Sequence, residues 1–186
     1  GIGVLIGPIE ELNSIPPDYK GGGTVDVVTH EFVKWNDTPE KDEAGSPNVL
    51  GVVALSSAIK TLQELGMDNI ENYESNLLNY ALYYLRNTPQ VILYCIDCNC
   101  NVSLIPFNVE GMYHEILSKI LSKEFGIGVR SGCFCAQPYI QRLLNVSLKD
   151  SINIAKKGGR RPGMVRLSFA LYNTYHEIDY FIYALR

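Results

Sequence analysis

The sequence predicts a mixed α/β fold. Hydrophobic residues make up 46% of the 186 residues, which is enough apolar material for one domain with a core, or for one domain and part of another. From residue 67 onward, patterns with the period of a helix alternate with short runs typical of strands. This alternation predicts a small α/β layer over residues 67–186.

The first third of the chain combines apolar segments with polar loops. Residues 1–7 have the composition of a buried strand, and residues 24–33 mix β-branched and polar residues as an extended segment does. Prolines, acidic residues and glycines predict loops, including residues 36–48. Val49–Leu65 has a helical pattern that is apolar on most sides. We therefore expect a helix that is buried between two bodies and ends at Gly66.

A second helix and two strands follow. Asp68 and Glu71 have the spacing of a capping box, and Pro89 ends the helical pattern. The predicted core face of this helix consists of Ile70, Tyr73, Leu77, Ala81, Tyr84 and Leu85. Residues 91–96 and 102–109 are predicted strands.

The next elements lie on either side of a cysteine pair. A helix is predicted from Met112 to Gly126, with its apolar residues on one face, and residues 129–131 form a short predicted strand. After the cysteine pair, Pro138 is suited to the first turn of a short helix that runs through Leu144.

The chain ends with a loop, a strand and a helix in the prediction. Residues 146–163 contain a stretch rich in glycine and lysine and predict a loop. Residues 164–171 predict a strand, and Thr174 with Glu177 predicts a capping box for the last helix. The predicted core face of that helix consists of Ile178, Phe181, Ile182 and Leu185.

Charge and composition argue against several classes of function. The net charge of −4 gives no overall positive field that would favour nucleic acid or an anionic membrane. The apolar runs are far shorter than the roughly 20 residues that a membrane span needs. Five cysteines, an odd number, argue against a disulfide framework and favour a reducing, cytoplasmic setting.

Two features point to chemistry. Cys135 precedes a proline-started helix, whose free N–H groups and dipole favour a thiolate, and Arg130 adds positive potential. An idle, buried thiol is the alternative. Arg166 lies inside an apolar strand, where a charge needs a carboxylate from the protein or from a ligand, unless the strand is at the edge of a sheet. The three histidines lie in no motif, so surface or capping roles are expected for them.

The cysteines allow a second interpretation, a metal- or redox-binding module. Cys95, Cys98 and Cys100 together with Cys133 and Cys135 offer more than the four thiolates of an all-cysteine zinc site. The spacing matches no standard zinc finger, so no metal ligand is predicted.

Five motifs occur in an order that resembles a known family. The chain resembles the C-terminal half of a class V aminotransferase-type enzyme that uses pyridoxal 5′-phosphate (PLP), nearest to the branch of cysteine desulfurases and selenocysteine lyases. The motifs are Gly1-Ile-Gly-Val-Leu-Ile-Gly7, the glycines 21–23, Glu43-Ala-Gly-Ser-Pro-Asn48, Arg130-Ser-Gly-x-x-Cys135-Ala-x-Pro138 and Arg166-Leu-Ser-x-x-Leu-Tyr-Asn-Thr174.

The resemblance implies a PLP-dependent transferase of fold type I that forms a homodimer. Residues 1–48 would be the end of the large PLP-binding domain, 49–66 the connecting helix and 67–186 the small C-terminal domain. The lysine that binds PLP covalently would belong to a His-Lys pair just before Gly1, and this chain contains no such pair. The full-length protein is therefore expected to be an enzyme, and this fragment to be inactive alone and to bind no PLP covalently.

The resemblance also implies roles for single residues. Cys135 would attack the substrate sulfur or selenium and carry it as a persulfide, with alanine as the other product. Arg166 would bind the α-carboxylate of the amino-acid substrate, with Arg130 also at the substrate. Gly45 and Ser46 would reach the PLP phosphate of the other subunit. A sulfur-acceptor protein is a possible further partner.

One residue departs from the family pattern. The residue before the cysteine is often histidine in desulfurases, and here it is Phe134. Related class V enzymes include transaminases, epimerases and lyases, so a different reaction type is the alternative. In that alternative Cys135 would have no role as a nucleophile.

Overall fold

The structure is a computed structural model that describes residues 1–94 and 102–186. It divides into two compact units, Gly1–Gly66 and Met67–Arg186. The end of the predicted strand 91–96 lies outside the described residues, and so do Cys95, Cys98 and Cys100. No single helix in the described part of the chain is long and apolar enough to cross a membrane, although one bent pair of consecutive helices passes that test by length and composition.

The first unit contains two α-helices and a hairpin. Helix α1 spans Ile9–Ser14, strands β1 (Val25–Val28) and β2 (Val33–Trp35) pair antiparallel, and helix α2 spans Val49–Leu65. A short 3-10 helix covers Glu40–Asp42. The extended prediction for residues 24–33 is thus confirmed only in part, because the segment between the two strands is a turn.

A buried lysine ties the loops of this unit together. Lys41 is only 3% exposed. Its ammonium donates to the Leu12 carbonyl at 2.5 Å and to the Ile15 carbonyl at 2.6 Å, just at and beyond the end of α1. A cation at this position satisfies carbonyl groups that a helix C-terminus leaves unpaired. Lys41 therefore fixes the loop after β2 against α1.

Two predictions for this unit are wrong in part. Residues 1–7 are exposed and form no strand, because no other strand in the described residues pairs with them. Helix α2 has the predicted bounds and ends at Gly66, where φ is +86°, but none of its residues is buried. Asn48 begins α2, since its side chain accepts a hydrogen bond from the Gly51 N–H at 3.0 Å.

In its described residues, the second unit is built on an antiparallel sheet of four strands. Its strands are β3 (Val91–Leu93), β4 (Leu104–Val109), β5 (Arg130–Gly132) and β6 (Met164–Ser168), in the order β3-β4-β6-β5. Strand β6 carries Arg166 and lies between two neighbours. The edge-strand explanation for this arginine is therefore wrong.

Five helices among the described residues complete this unit. They are α3 (Met67–Arg86), α4 (His114–Phe125), α5 (Gln137–Leu143), α6 (Leu148–Lys157) and α7 (Tyr175–Ala184). Side chains of α3, α4 and α7 form one core with the sheet residues Ile105, Phe107, Val165 and Leu167. These sheet residues alternate with Pro106 and Arg166, so the arginine lies on the opposite face of the sheet.

Some of the predicted helix starts are correct and others are wrong. The capping box of Thr174 and Glu177 is present at α7, as predicted. The box predicted for Asp68 is wrong, because α3 begins at Met67 and Asp68 is already inside its first turn. Residues 146–163 are not all loop, since the Ser147 side chain accepts from the Asp150 N–H at 3.1 Å and begins α6.

Candidate functional site

The two cysteines lie in a tight turn that directly follows β5. The Ala136 N–H donates to the Cys133 carbonyl at 2.8 Å and closes the turn. Phe134 and Cys135, the two central residues, have φ values of +53° and +60°. Two consecutive positive φ angles are typical of a type I′ turn, which glycine or asparagine usually occupies. The predicted nucleophile thus lies in a backbone conformation that is strained for its residue type.

The two thiols have different surroundings. Cys135 is exposed, whereas Cys133 is half-buried. Cys133 also lines a cavity of about 480 Å³, and Cys135 does not. Helix α5 begins at Gln137, two residues after Cys135, close to the predicted start at Pro138. The turn therefore presents one thiol to solvent and shelters the other.

Arg166 lacks the partner that its position in the sheet requires. Its side chain is half-buried, and its Nε atom is buried without a hydrogen-bond partner among the described residues. No carboxylate in the described ranges forms an ion pair with it. A buried donor that stays unpaired is unfavourable by about 1–3 kcal/mol. Such a donor is expected to pair with an acceptor that comes from outside the chain.

Arg130 lies beside Arg166 in the sheet. The two residues are directly opposite each other in the β5–β6 pair, so they share one face. Arg130 is exposed. Two neighbouring guanidinium groups repel each other, and a carboxylate between or above them would neutralise that repulsion. The structure thus brings two of the predicted site residues together.

Phe134 connects the turn to Arg166. The Arg166 guanidinium carbon lies 5.2 Å from the centroid of the Phe134 ring, which is within cation–π distance. In the sequence, Phe134 is visible only as a departure from the family pattern, and no role was predicted for it. Its position directly before the candidate nucleophile Cys135 was the signal that could have identified it. The aromatic ring links the cysteine turn to the arginine on the sheet face.

Gly45 and Ser46 lie in the first unit, next to the triple glycine. The Gly45 N–H donates to the Gly22 carbonyl at 2.9 Å, and a Cβ added at Gly21 would lie 3.4 Å from the Ala44 Cβ. Gly45 has φ of +84°, a conformation that favours glycine. The Ser46 side chain is exposed, and its hydroxyl has no partner in the described residues. An exposed hydroxyl among small residues is suited to a phosphate oxygen.

His114 is buried, which corrects the expected surface or capping role. It is 5% exposed, and its Nε2 lies 3.1 Å from the Arg161 carbonyl. A carbonyl only accepts, so Nε2 carries the proton in this contact. A Cβ added at Gly163 would lie 2.5 Å from the same nitrogen, so this position accepts only glycine without a shift.

Tyr113 shares this carbonyl, since its hydroxyl donates to Arg161 at 2.9 Å. Burial raises the pKa of Tyr113 above its ordinary value, and the Glu115 carboxylate adds to that increase. Tyr113 therefore stays protonated and keeps donating at neutral pH. Together with His114, it holds the loop that closes the cavity beside Cys133.

The described residues contain no cluster that is suited to a metal ion. No group of three or more histidine, cysteine and carboxylate side chains comes together in residues 1–94 and 102–186. Cys133 and Cys135 therefore have no third ligand there. The other three cysteines lie outside the described part of the chain.

Comparison with known proteins gives a consistent result. The model of the aminotransferase class-V family matches residues 1–181. The cysteine desulfurase of Wigglesworthia glossinidia brevipalpis is 33% identical over 186 residues, which is all of this chain and 41% of that protein. The chain thus spans about two fifths of the length of the curated relatives that it matches.

Solved structures give the same picture. The apo structure of a cysteine desulfurase from Thermococcus onnurineus has a TM-score of 0.80 and 28% identity, covering 95% of this chain and 40% of that one. The cysteine desulfurase CsdA from Escherichia coli, in an S-sulfonic acid form, has a TM-score of 0.79 and 30% identity, covering 96% of this chain and 40% of that one.

Proposed function

Because this chain belongs to the aminotransferase class-V family, we propose that it is part of a PLP-dependent cysteine desulfurase. The predicted α/β fold of PLP-dependent transferases, fold type I, is confirmed by the likeness to solved cysteine desulfurases. The proposed reaction removes sulfur from cysteine, leaves it as a persulfide on the protein and releases alanine. The activity belongs to the full-length protein, of which this chain is about two fifths.

The unpaired Arg166 is the observation that carries this proposal. Its buried Nε needs an acceptor, and Arg130 beside it adds a second positive charge. An amino-acid substrate supplies a carboxylate, which a guanidinium group binds through two parallel hydrogen bonds. Arg166 would hold the substrate by that group and thereby orient its side chain.

Cys135 is the proposed nucleophile. It is the exposed thiol of the turn, and the Phe134 ring beside it packs on Arg166. A substrate held at Arg166 would therefore have its sulfur presented on the same side of the sheet as the turn. The thiolate of Cys135 would attack that sulfur, and the exposed position would let the persulfide reach an acceptor.

PLP is the proposed cofactor, and the first unit offers residues for its phosphate. Gly45 and Ser46 would contact the phosphate, because the loop combines an unpartnered hydroxyl with a glycine that leaves space. When bound, PLP stabilises the negative charge that develops on the substrate during bond cleavage. The covalent lysine would belong to the part of the protein outside this chain.

The remaining assignments are proposed on the family likeness. Residues 1–48 would belong to the large PLP-binding domain, 49–66 to the connecting helix and 67–186 to the small domain. In the full-length protein, strands outside this chain would pair with residues 1–7. We also propose a cytoplasmic homodimer that passes sulfur to an acceptor protein. Activity on selenocysteine is proposed as a second activity of the same site.

The decisive experiment compares two cysteine variants of the full-length protein, assayed with excess thiol reductant. Cys135→Ala should lose persulfide formation from cysteine and keep PLP, measured by mass spectrometry and by absorbance of the bound cofactor. Cys133→Ala is the matched control and should keep most turnover. Selenocysteine is the weaker substrate for this test, because its C–Se bond breaks more readily.

Two results would contradict the proposal. If Cys133→Ala is the inactive variant, the assignment of the nucleophile is wrong. If both variants release sulfur normally, the protein catalyses another class V reaction, such as transamination or epimerisation.

A further inference from the structure

We propose that Cys133 is a resolving thiol, which attacks the persulfide of Cys135, forms a disulfide within the turn and releases hydrosulfide. This inference rests on the proposed function, because the desulfurase reaction is what forms the persulfide. It gives the protein an internal route for sulfur release that competes with an external acceptor.

The turn holds the two cysteines within disulfide range. A fully extended chain spans roughly 3.3–3.6 Å per residue, so two residues span at most about 7 Å. The hydrogen bond from the Ala136 N–H to the Cys133 carbonyl bends this stretch and shortens it. A disulfide requires Cα atoms about 4.4–6.8 Å apart. The turn therefore keeps the two Cα atoms within the separation that a disulfide requires.

The residue between the cysteines stabilises this arrangement. The Phe134 ring is held 5.2 Å from the Arg166 guanidinium carbon, on the interior strand β6. The turn therefore has an anchor in addition to its own hydrogen bond. Both thiols are free in the structure, so the pair is available for reaction.

The two thiols differ in exposure, so we expect them to have different roles. Cys135 is exposed, so a persulfide there is accessible to an acceptor. Cys133 is half-buried and lines the cavity with Gln137 and Gln141. A protein acceptor would therefore meet Cys135 first. Cys133 would react when no acceptor has taken the sulfur.

The proposed step balances without an additional oxidant. The Cys133 thiolate attacks the Cys135 sulfur, a new S–S bond forms, and the bond to the outer sulfur breaks. Hydrosulfide leaves with the electron pair of that bond. The outer sulfur is thereby reduced to the sulfide level, and the two thiols are oxidised to a disulfide. A thiol reductant must then reduce this disulfide before the next turnover.

Digestion with trypsin isolates the two cysteines in one peptide, so the proposed disulfide can be detected directly. Cleavage after Arg130 and Arg142 releases residues 131–142, a peptide that contains Cys133 and Cys135 and none of the other three cysteines. The full-length protein with PLP is reduced, freed of reductant, given one equivalent of cysteine and quenched with an alkylating agent. The peptide is then analysed by mass spectrometry, and free sulfide and alanine are measured.

The wild-type peptide should lose two hydrogens and resist alkylation, with one sulfide released for each alanine. In Cys133→Ser the peptide should instead gain one sulfur, and sulfide should appear only after reductant is added. The Cys98→Ser protein is a matched thiol control and should behave as wild type does. The inference is wrong if the wild-type peptide keeps the added sulfur, or if its disulfide joins another peptide.

A second arm separates the inference from the proposed function. The full-length protein without PLP is treated with inorganic polysulfide, which transfers sulfur to accessible thiols such as the exposed Cys135 without catalysis. Wild type should form the disulfide in peptide 131–142, and neither Cys133→Ser nor Cys135→Ser should do so. A disulfide in this arm combined with no alanine from cysteine would reject the desulfurase reaction and support the thiol pair. No disulfide here would reject the inference even if alanine is formed.

Discussion

Replacing Arg166 by methionine should stabilise the fold and strongly reduce the proposed activity. The buried Nε has no partner among the described residues. Removing such a donor should raise the free energy of unfolding by about 1–3 kcal/mol. The substitution also removes the cation–π contact with Phe134, which is worth about 0.5–1 kcal/mol at a partly exposed site. Methionine keeps most of the apolar length of the side chain. The expected net change is a gain in unfolding free energy of about 0–2.5 kcal/mol.

The measurement is urea denaturation of the 186-residue chain, followed by far-UV circular dichroism. Fluorescence of Trp35, the only tryptophan, reports separately on the first unit, where it lies in β2. Arg142→Met is the matched control, because Arg142 is exposed on α5 and its replacement should change stability by less than about 0.5 kcal/mol.

The same substitution should lower the activity of the full-length protein. Loss of one charged hydrogen bond to the proposed substrate carboxylate should weaken binding of the transition state by about 1.5–3 kcal/mol. This corresponds to a decrease in kcat/KM of about 10-fold to 150-fold for each bond. Unfolding of Arg166→Met at a clearly lower urea concentration would contradict this prediction, because the arginine would then be a structural residue with a partner in the protein.

Three further predictions address other residues. The Thr174 N–H holds the pKa of Glu177 below its ordinary value of 4.5, so this carboxylate stabilises α7 above pH 4.5. That stability should be lost as pH falls through the lowered pKa, and urea midpoints of Glu177→Gln should lack this dependence on pH. Gly163→Ala should lower the unfolding free energy by about 1–3 kcal/mol, measured by urea denaturation, because its Cβ would lie 2.5 Å from His114 and 2.9 Å from the Gly132 Cα. Ser46→Ala should weaken the binding of PLP to the full-length protein by about 1.5–3 kcal/mol, measured as the equilibrium dissociation constant of PLP. An unchanged constant would mean that this loop does not contact the phosphate.

Local signals in the sequence predicted the elements whose boundaries are encoded within a few residues. The capping box at Thr174 and the glycine at position 66 gave correct helix ends, because caps are contacts between neighbours in the chain. The strand predicted for residues 1–7 was wrong because a strand depends on contacts with a segment that is distant in the chain. A strand needs a paired backbone, and composition alone does not supply one.

The candidate site was predictable in its residue types but not in its arrangement. An arginine within an apolar strand was visible in the sequence, and so was the cysteine motif. The direct opposition of Arg130 and Arg166 depends on the pairing of β5 with β6, which are about 30 residues apart in the chain. The role of Phe134 depends on the same pairing, because the contact with Arg166 is not local.

The strand order has a consequence for biosynthesis. Among the described strands, β5 pairs only with β6, which is made later and inserts between β5 and β4. While β6 is still inside the ribosome, the segment that leads into the cysteine turn has no strand to join. The β5–β6 pairing that brings Arg130 opposite Arg166 can therefore form only after β6 has left the ribosome. Until then, a nascent chain contains both thiols of the turn but lacks the arginine that is proposed to hold the substrate.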